Sequence, residues 1–143
     1  MSLFLYLNAN AAFLNVTIDY EKSAICKLDK QILKNEIYDY KEFSKDQIKE
    51  NKDRKINIKA VKSQELKITG LSNFFTNSPN GVIYDTQIIK DNTILLRVLS
   101  NDEKYSESVF INKFTGEMLH EITTNIDTPN QGKEISFFTC DMS

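Results

Sequence analysis

Residues 105–124, with the sequence YSESVFINKFTGEMLHEITT, carry the clearest structural signal in this chain. Tyr105–Phe114 and Glu117–Thr124 are rich in the β-branched and aromatic residues that favour strands. Thr115 and Gly116 lie between these two runs, and glycine reaches the positive φ that a tight hairpin turn requires. The stretch therefore predicts an antiparallel β-hairpin with Gly116 at a positive φ.

Short strand-like runs recur on both sides of this hairpin, separated by turn residues. In Arg54–Lys62 the residues Ile56, Ile58 and Ala60 alternate with polar residues, which is the pattern of a half-buried strand. Shorter or less regular runs predict four further strands, at Glu65–Thr69, Val82–Ile89, Thr93–Leu99 and Glu134–Cys140.

The region before residue 54 fits two secondary structures. Ile25, Leu28 and Ile32 would share one face of a helix. As strands, Ala24–Leu33 and Glu36–Phe43 would form a pair joined by a short turn. We favour the strands because tyrosine and isoleucine are dense here.

Residues 44–47, SKDQ, match a capping box. In that motif the Ser44 side chain binds the amide of Gln47, and the Gln47 side chain binds the amide of Ser44. The motif predicts one short helix over residues 44–51. Ile48 is the only apolar residue that could anchor it, so we expect the helix to face solvent.

Sequential strands with short connections predict an antiparallel meander. Such a sheet must protect its edges, and closure into a barrel does so completely. We therefore predict a mainly β fold with a closed or strongly curved, barrel-like sheet, lipocalin-like in architecture by analogy. The alternative is an α+β roll in which an N-terminal helix packs on an antiparallel sheet.

The first 18 residues, MSLFLYLNANAAFLNVTI, form an apolar segment without charge, ahead of a single β-rich domain over residues 19–143. Asn8, Asn10 and Asn15 interrupt the segment, which argues against a transmembrane span. Residues 9–11, Ala-Asn-Ala, fit the small-x-small pattern before a signal-peptide cleavage point. The segment is interpreted either as the remnant of an export signal or as a strand or helix that covers the sheet.

The composition is that of an ordinary globular domain. The chain has 143 residues, of which 41% are hydrophobic and 27% charged, with a formal net charge of −2. A balance of this kind excludes a disordered tail or a collagen, and it gives no indication of nucleic-acid binding.

Two cysteines, Cys26 and Cys140, lie near the two ends of the predicted domain. Two sulfurs and a single histidine do not make a four-ligand zinc site without carboxylates, and no metal is expected. We predict a disulfide between Cys26 and Cys140 that joins the first and last strands and locks the barrel seam. A disulfide indicates an oxidising compartment, so the predicted location is the periplasm or the extracellular space.

His120 is the only histidine and the one residue we would assign to catalysis if the protein were an enzyme. On a regular strand it shares a face with Met118 and Ile122, which is typical of a core or rim residue. The sequence has no GxSxG elbow, calcium loop, H-E-x-x-H or P-loop. We therefore expect neither enzymatic activity nor a cofactor.

Several strands are apolar on both faces, for example at Val109-Phe110-Ile111 and at Phe137-Phe138. Such strands need cover on the outside of the sheet, from the N-terminal segment or from a partner chain, including a second copy in a homo-oligomer. The leading hypothesis is an exported, non-enzymatic protein that binds a partner protein or a small apolar ligand. The alternatives are a hydrolase with its site in the sheet concavity and a cytoplasmic interaction module with reduced cysteines.

Overall fold

The structure, a computed structural model, describes residues 20–62, 65–72 and 86–141. Nine strands form a single antiparallel sheet in this part of the chain. They are β1 (Glu21–Lys34), β2 (Lys41–Ser44), β3 (Arg54–Lys62), β4 (Glu65–Thr69), β5 (Thr86–Ile89), β6 (Thr93–Leu99), β7 (Tyr105–Asn112), β8 (Glu117–Thr124) and β9 (Gly132–Asp141).

Within the described residues the sheet curls into a nearly closed barrel with one unsealed seam. The strand order is β4-β3-β1-β9-β8-β7-β6-β5, and β2 pairs with the second half of β1. The first and last strands are therefore neighbours inside the sheet, while β4 and β5 are its two ends. At the seam between them, the amide of Leu66 donates to the Gln87 side-chain oxygen at 3.2 Å. The predicted mainly β, antiparallel, barrel-like fold is confirmed.

The barrel interior is filled by every second residue of the strands. These inward side chains form one buried hydrophobic cluster, which includes the predicted inward residues Ile56, Ile58 and Ala60. Burial of this apolar surface is the main stabilising contribution to a domain of this size. The cluster consists of Ala24, Cys26, Leu28, Ile56, Ile58, Ala60, Leu66, Ile68, Ile89, Ile94, Leu96, Val98, Val109, Ile111, Met118, Phe138 and Cys140.

A β-bulge in β1 changes which residues face inward. The register against β9 shifts between Leu28 and Lys30, so that Asp29 is the extra residue. Without the shift, Lys30 would follow Leu28 into the core. With it, Lys30 lies outside, 4.8 Å from the Phe137 ring centre, and Gln31 turns inward.

The ambiguous region before residue 54 forms strands, and the described residues contain no helix. The second strand begins at Lys41, later than predicted, because residues 35–40 form an ordered loop. Asn35 holds this loop with its side-chain oxygen, which accepts the amides of Ile37 and Tyr38, both at 2.8 Å. Tyr40 completes the loop with a φ of 52°.

The prediction of a short helix over residues 44–51 is wrong. Half of the capping box forms, since the amide of Ser44 donates to the Gln47 side-chain oxygen at 2.9 Å. The chain then makes a single turn, with the amide of Ile48 on the carbonyl oxygen of Ser44. A helix of two turns is costly to nucleate, and here Ile48 alone packs against the core. The segment instead connects β2 to β3 along the edge of β1.

The hairpin at residues 105–124 is confirmed, with a φ of 77° at Gly116. The strand β7 ends at Asn112, two residues before the predicted Phe114. The cause is the Asn112 side-chain oxygen, which accepts the amides of Phe114 and Thr115 and begins the turn early.

Some of the predictions lie outside the described residues. These are the two interpretations of residues 1–18 and the first half of the strand predicted at Val82–Ile89.

Candidate functional site

The inward face of the barrel changes from apolar to polar at one end. Val109, His120, Ser136 and Gln31 are direct neighbours in register across β7, β8, β9 and β1. Glu107 lies on the same face of β7, two residues from Val109. Of these five residues only Val109 is apolar, and the other four are less than 10% exposed. Buried polar side chains in such numbers mark this end of the interior as the candidate site.

A fully buried carboxylate is the centre of this site. Glu107 Oε2 lies 2.6 Å from His120 Nε2, and Glu107 Oε1 accepts a hydrogen bond from the Tyr105 hydroxyl at 3.0 Å. Ser72, which follows β4, donates its hydroxyl to the same oxygen. We call Ser72, Tyr105, Glu107 and His120 the Glu107 cluster. A buried carboxylate needs donors of this kind because desolvation of an unpartnered charge is very costly.

The environment also determines the protonation state of Tyr105. Burial, followed by the charge of Glu107 and the hydrogen bond to it, raises the pKa of the Tyr105 phenol well above its ordinary value. The phenol therefore stays protonated at neutral pH and remains a donor to Glu107.

The order of contacts in the Glu107 cluster differs from that of a hydrolytic triad. In a triad the imidazole lies between the hydroxyl nucleophile and the carboxylate, so that it can take the hydroxyl proton. In the contacts described here the carboxylate lies between, with the Ser72 and Tyr105 hydroxyls on Oε1 and the imidazole on Oε2. In these contacts the two hydroxyls and the imidazole all serve as partners of the buried carboxyl group.

A second polar network adjoins the first. Gln31 Nε2 donates to Glu134 Oε1 at 2.7 Å and to Ser136 Oγ at 2.9 Å. Lys52 Nζ donates to Gln31 Oε1 at 3.4 Å. The β-bulge in β1 makes this network, because it turns Gln31 rather than Lys30 toward the interior.

The two cysteines lie directly opposite each other on β1 and β9. Their sulfur atoms are 2.04 Å apart, which is a bonding distance, and their Cα atoms are 3.9 Å apart. The expectation that this pair locks the barrel seam is wrong. β1 and β9 are already joined by backbone hydrogen bonds, and the unsealed seam lies between β4 and β5.

The outside of the barrel carries a row of apolar side chains that runs across five strands. We call it the outer band. Its members pair in register from strand to strand, and each alternates with buried residues on its own strand. They are Ile88, Leu95, Phe110, Leu119 and Phe137.

Polar rows border the outer band on both sides along β5–β8, so the band is one side chain wide. Ile88 is 40% exposed and Phe110 is 38% exposed, while the other three members are partly buried. One border consists of Thr86, Arg97, Ser108 and Glu121, and the other includes Thr93, Asn112 and Glu117.

Searches with this chain against protein-family models, curated proteins and solved structures found no match. Within residues 20–62, 65–72 and 86–141 no group of three or more acidic, histidine or cysteine side chains is placed to hold a metal ion. The same residues include no helix of the length and hydropathy needed to cross a membrane.

The sequence predicts roles for His120 and for the cysteine pair, but not the partners of His120. Tyr105 and Glu107 share a strand face with the buried Val109, so the alternating pattern already placed a carboxylate among core positions. An acidic residue at a position where alternation predicts a buried side chain is the sequence signal for this site. The sequence does not predict the hydrogen bond from Ser72 to Glu107, because this bond depends on the path of the chain after β4.

Proposed function

We propose that this protein is an exported, non-enzymatic binding protein that docks a helical segment of a partner protein on its outer band. The observation that supports this proposal is the band itself: five apolar side chains in one register row on a face where polar residues are the norm. Exposed apolar surface with polar borders is typical of protein interfaces.

The dimensions of the outer band favour a narrow occupant over a second copy of the chain. Four strand spacings of about 4.8 Å make the band about 19 Å long, and the polar borders limit its width to roughly 10 Å. The resulting area of roughly 200 Å² is far below the roughly 800 Å² per partner that a stable interface between globular chains buries.

An α-helix suits this shape better than an extended strand. Apolar residues on one helix face recur every turn, about 5.4 Å, which is close to the strand spacing of about 4.8 Å. Alternate residues of a strand are about 6.8 Å apart and would drift out of step with the row. A helix of about 13 residues spans the whole band.

The cysteine pair supports the exported location. Sulfurs at bonding distance on two paired strands fit a disulfide that persists in the periplasm or outside the cell. The alternative location, the cytoplasm with both thiols reduced, makes the opposite prediction for the oxidation state of the purified protein.

The test of the docking proposal uses a defined probe, a fluorescent helical peptide of about 14 residues with leucine on one face and glutamine on the other. Phe110→Ser and Leu119→Ser should each weaken binding at least about tenfold, because each removes a large apolar contact. Ile25→Ser is the matched control, since Ile25 is an outward residue that is 56% exposed and lies outside the band. Equal binding by all variants, or a dimer that Phe110→Ser dissociates, would contradict the proposal.

The convergence of His120, Glu107 and two hydroxyls in the interior favours the hydrolase as the second candidate. The burial of His120, at 7% exposed, and the central position of the carboxylate support the non-enzymatic proposal instead. A panel of p-nitrophenyl esters distinguishes the two. Ester hydrolysis that His120→Gln abolishes, in a protein that stays folded, would favour the hydrolase.

A further inference from the structure

The two parts of the barrel wall carry opposite net charge. The described residues up to Ser72, which form β1–β4 and their connections, include 13 basic and 9 acidic residues. The described residues from Thr86 onward, which form β5–β9, include 5 basic and 9 acidic residues. All five members of the outer band lie on β5–β9. The band therefore lies on the acidic part of the wall.

Two carboxylates lie on either side of the outer band where it crosses β8. Glu117, Leu119 and Glu121 are alternate residues on the outer face of this strand. Alternate residues of a strand are about 6.8 Å apart, so each glutamate borders the Leu119 side chain. Glu117 is exposed, and Glu121 is partly buried and pairs with Lys133 at 3.0 Å. An apolar side chain that packs on Leu119 thus has an acidic residue on each side of it.

The aromatic rings of the outer band also favour cations. Lys30 Nζ lies 4.8 Å from the centre of the Phe137 ring, so an ammonium group already contacts the band at β9. Phe110, which is 38% exposed, places a second ring directly beside Leu119 in the register of β7 and β8. A basic side chain above β8 can therefore contact an aromatic ring as well as a carboxylate.

We propose that the helix that docks on the outer band is cationic and amphipathic, with lysine or arginine on both sides of the apolar residue that contacts Leu119. This inference rests on the proposed function. A helix about 10 Å in diameter that lies along the band holds its flanking side chains above the two polar borders. Arg97 borders the band at β6, two strands from β8, so the basic residues are expected over β8 and not over β6. Complementary charges of this kind select the partner and speed its association.

Three fluorescent helical peptides of about 14 residues test this proposal. They share a leucine face and differ only in the residues before and after the second leucine, which are glutamine, lysine or glutamate. At low ionic strength the lysine peptide should bind at least about fivefold more tightly than the glutamine peptide, because each lysine meets a carboxylate. The glutamate peptide should bind more weakly than both. These differences should shrink in about 0.5 M salt, since exposed charges are screened.

Substitutions on the protein locate the source of the preference for lysine. Glu117→Gln should reduce the ratio of the two affinities, lysine peptide over glutamine peptide, at least about twofold. Glu36→Gln is the matched control, because it removes the same charge at an exposed residue that lies outside the band. It should leave the ratio as in the unmodified protein. An equal loss in both variants would show that net charge alone matters, and the proposal would then be wrong.

The peptide series also separates this proposal from the docking proposal on which it rests. Equal binding of the lysine and glutamine peptides would overturn the cationic partner and leave docking on the band intact. A lysine peptide with its leucines scattered around the helix should bind weakly, and equally tight binding by it would overturn the proposal as well. Binding by none of the three peptides would contradict docking itself, and the cationic partner with it.

Discussion

Glu107 brings a carboxyl group into the barrel interior, and three separate segments supply hydrogen-bond partners to it. Tyr105 comes from the same strand, His120 from the next strand and Ser72 from the chain that follows β4. Each partner depends on the others, because the carboxylate can stay buried only while its oxygens are occupied. A substitution at any one residue of the Glu107 cluster should therefore affect the hydrogen bonds of the others.

Tyr105 should make the protein sensitive to alkali. Burial and the neighbouring Glu107 raise the pKa of the Tyr105 phenol in the folded state. The folded chain thus keeps a proton that the unfolded chain loses near pH 10, so this contribution is complete below about pH 10 and falls as the pH rises further. Tyr105→Phe should lessen the alkaline loss of unfolding free energy, measured by denaturant titration at neutral and alkaline pH. Tyr40→Phe, at a tyrosine that is 53% exposed, should leave that loss as it is.

Gly116→Val should destabilise the protein by about 2 kcal/mol or more. Gly116 has a φ of 77°, and a Cβ atom there would also collide with the carbonyl oxygen of Cys140 on β9. Gly116→Asn separates these causes, because asparagine tolerates a positive φ but still carries a Cβ. Denaturant unfolding should show both variants destabilised. A stable Gly116→Asn would mean that the backbone angle alone matters.

At the level of elements, β1 organises the barrel because it pairs with three strands. Its first half pairs with β3 and its second half with β2 on the same edge, while β9 lies along its other side. Where β3 gives way to β2, the Leu28 amide has no strand opposite it. Asp53 supplies the acceptor, with Oδ1 at 3.0 Å from the Leu28 nitrogen.

Asp53→Ala should lower the unfolding free energy by about 1–2 kcal/mol, because it leaves the Leu28 amide without its acceptor. Asp53→Asn keeps a side-chain oxygen and should lose less. Asp46→Ala, in the same connection between β2 and β3, is the control and should change stability little. Thermal melting of the three variants checks this order, and equal melting temperatures for Asp53→Ala and Asp46→Ala would refute it.

Local patterns predicted the strands where alternation is regular and turn residues mark the ends. The strands β3, β6 and β8 have the predicted bounds, at Arg54–Lys62, Thr93–Leu99 and Glu117–Thr124. The bulge at Asp29 could not be predicted, since it arises from the pairing of β1 with a strand more than a hundred residues away. The helix prediction at residues 44–51 failed because a correct cap does not compensate for a segment with one apolar anchor.

At the level of the whole molecule, the sheet closes on itself through the two most distant parts of the sequence. β1 pairs with β9 from Ile25 to Lys34, and Cys26 and Cys140 lie within that ladder at a separation of 114 residues. The cysteine positions predict that the first and last strands are neighbours, which is correct, but they also predict the seam between those strands, which is wrong. The seam lies between β4 and β5, in the middle of the chain. Its location depends on which two strands are left unpaired in the finished sheet, and local sequence patterns do not predict that.

Mass spectrometry should show Cys26 and Cys140 bonded in protein purified without reductant. Alkylation under denaturing, non-reducing conditions should modify neither cysteine, and the intact mass should be lower by two hydrogens. Reduction should lower stability by up to about 4–5 kcal/mol on the chain-entropy model, since the bond closes a loop of more than a hundred residues. Two alkylated thiols without reductant would contradict both the bond and the exported location.

The pairing of β1 with β9 also imposes an order on folding. β5 to β9 follow one another as hairpins with short connections, so their contacts are local and form quickly. β1 also pairs with β2 and β3, which are close in sequence, but its ladder with β9 closes a loop of more than a hundred residues, and such long-range pairing is slow. In an oxidised chain the bond between Cys26 and Cys140 already holds β1 beside β9, so this slow step is not needed. The reduced chain should therefore refold more slowly, and only the pairing of β1 with β9 should be delayed.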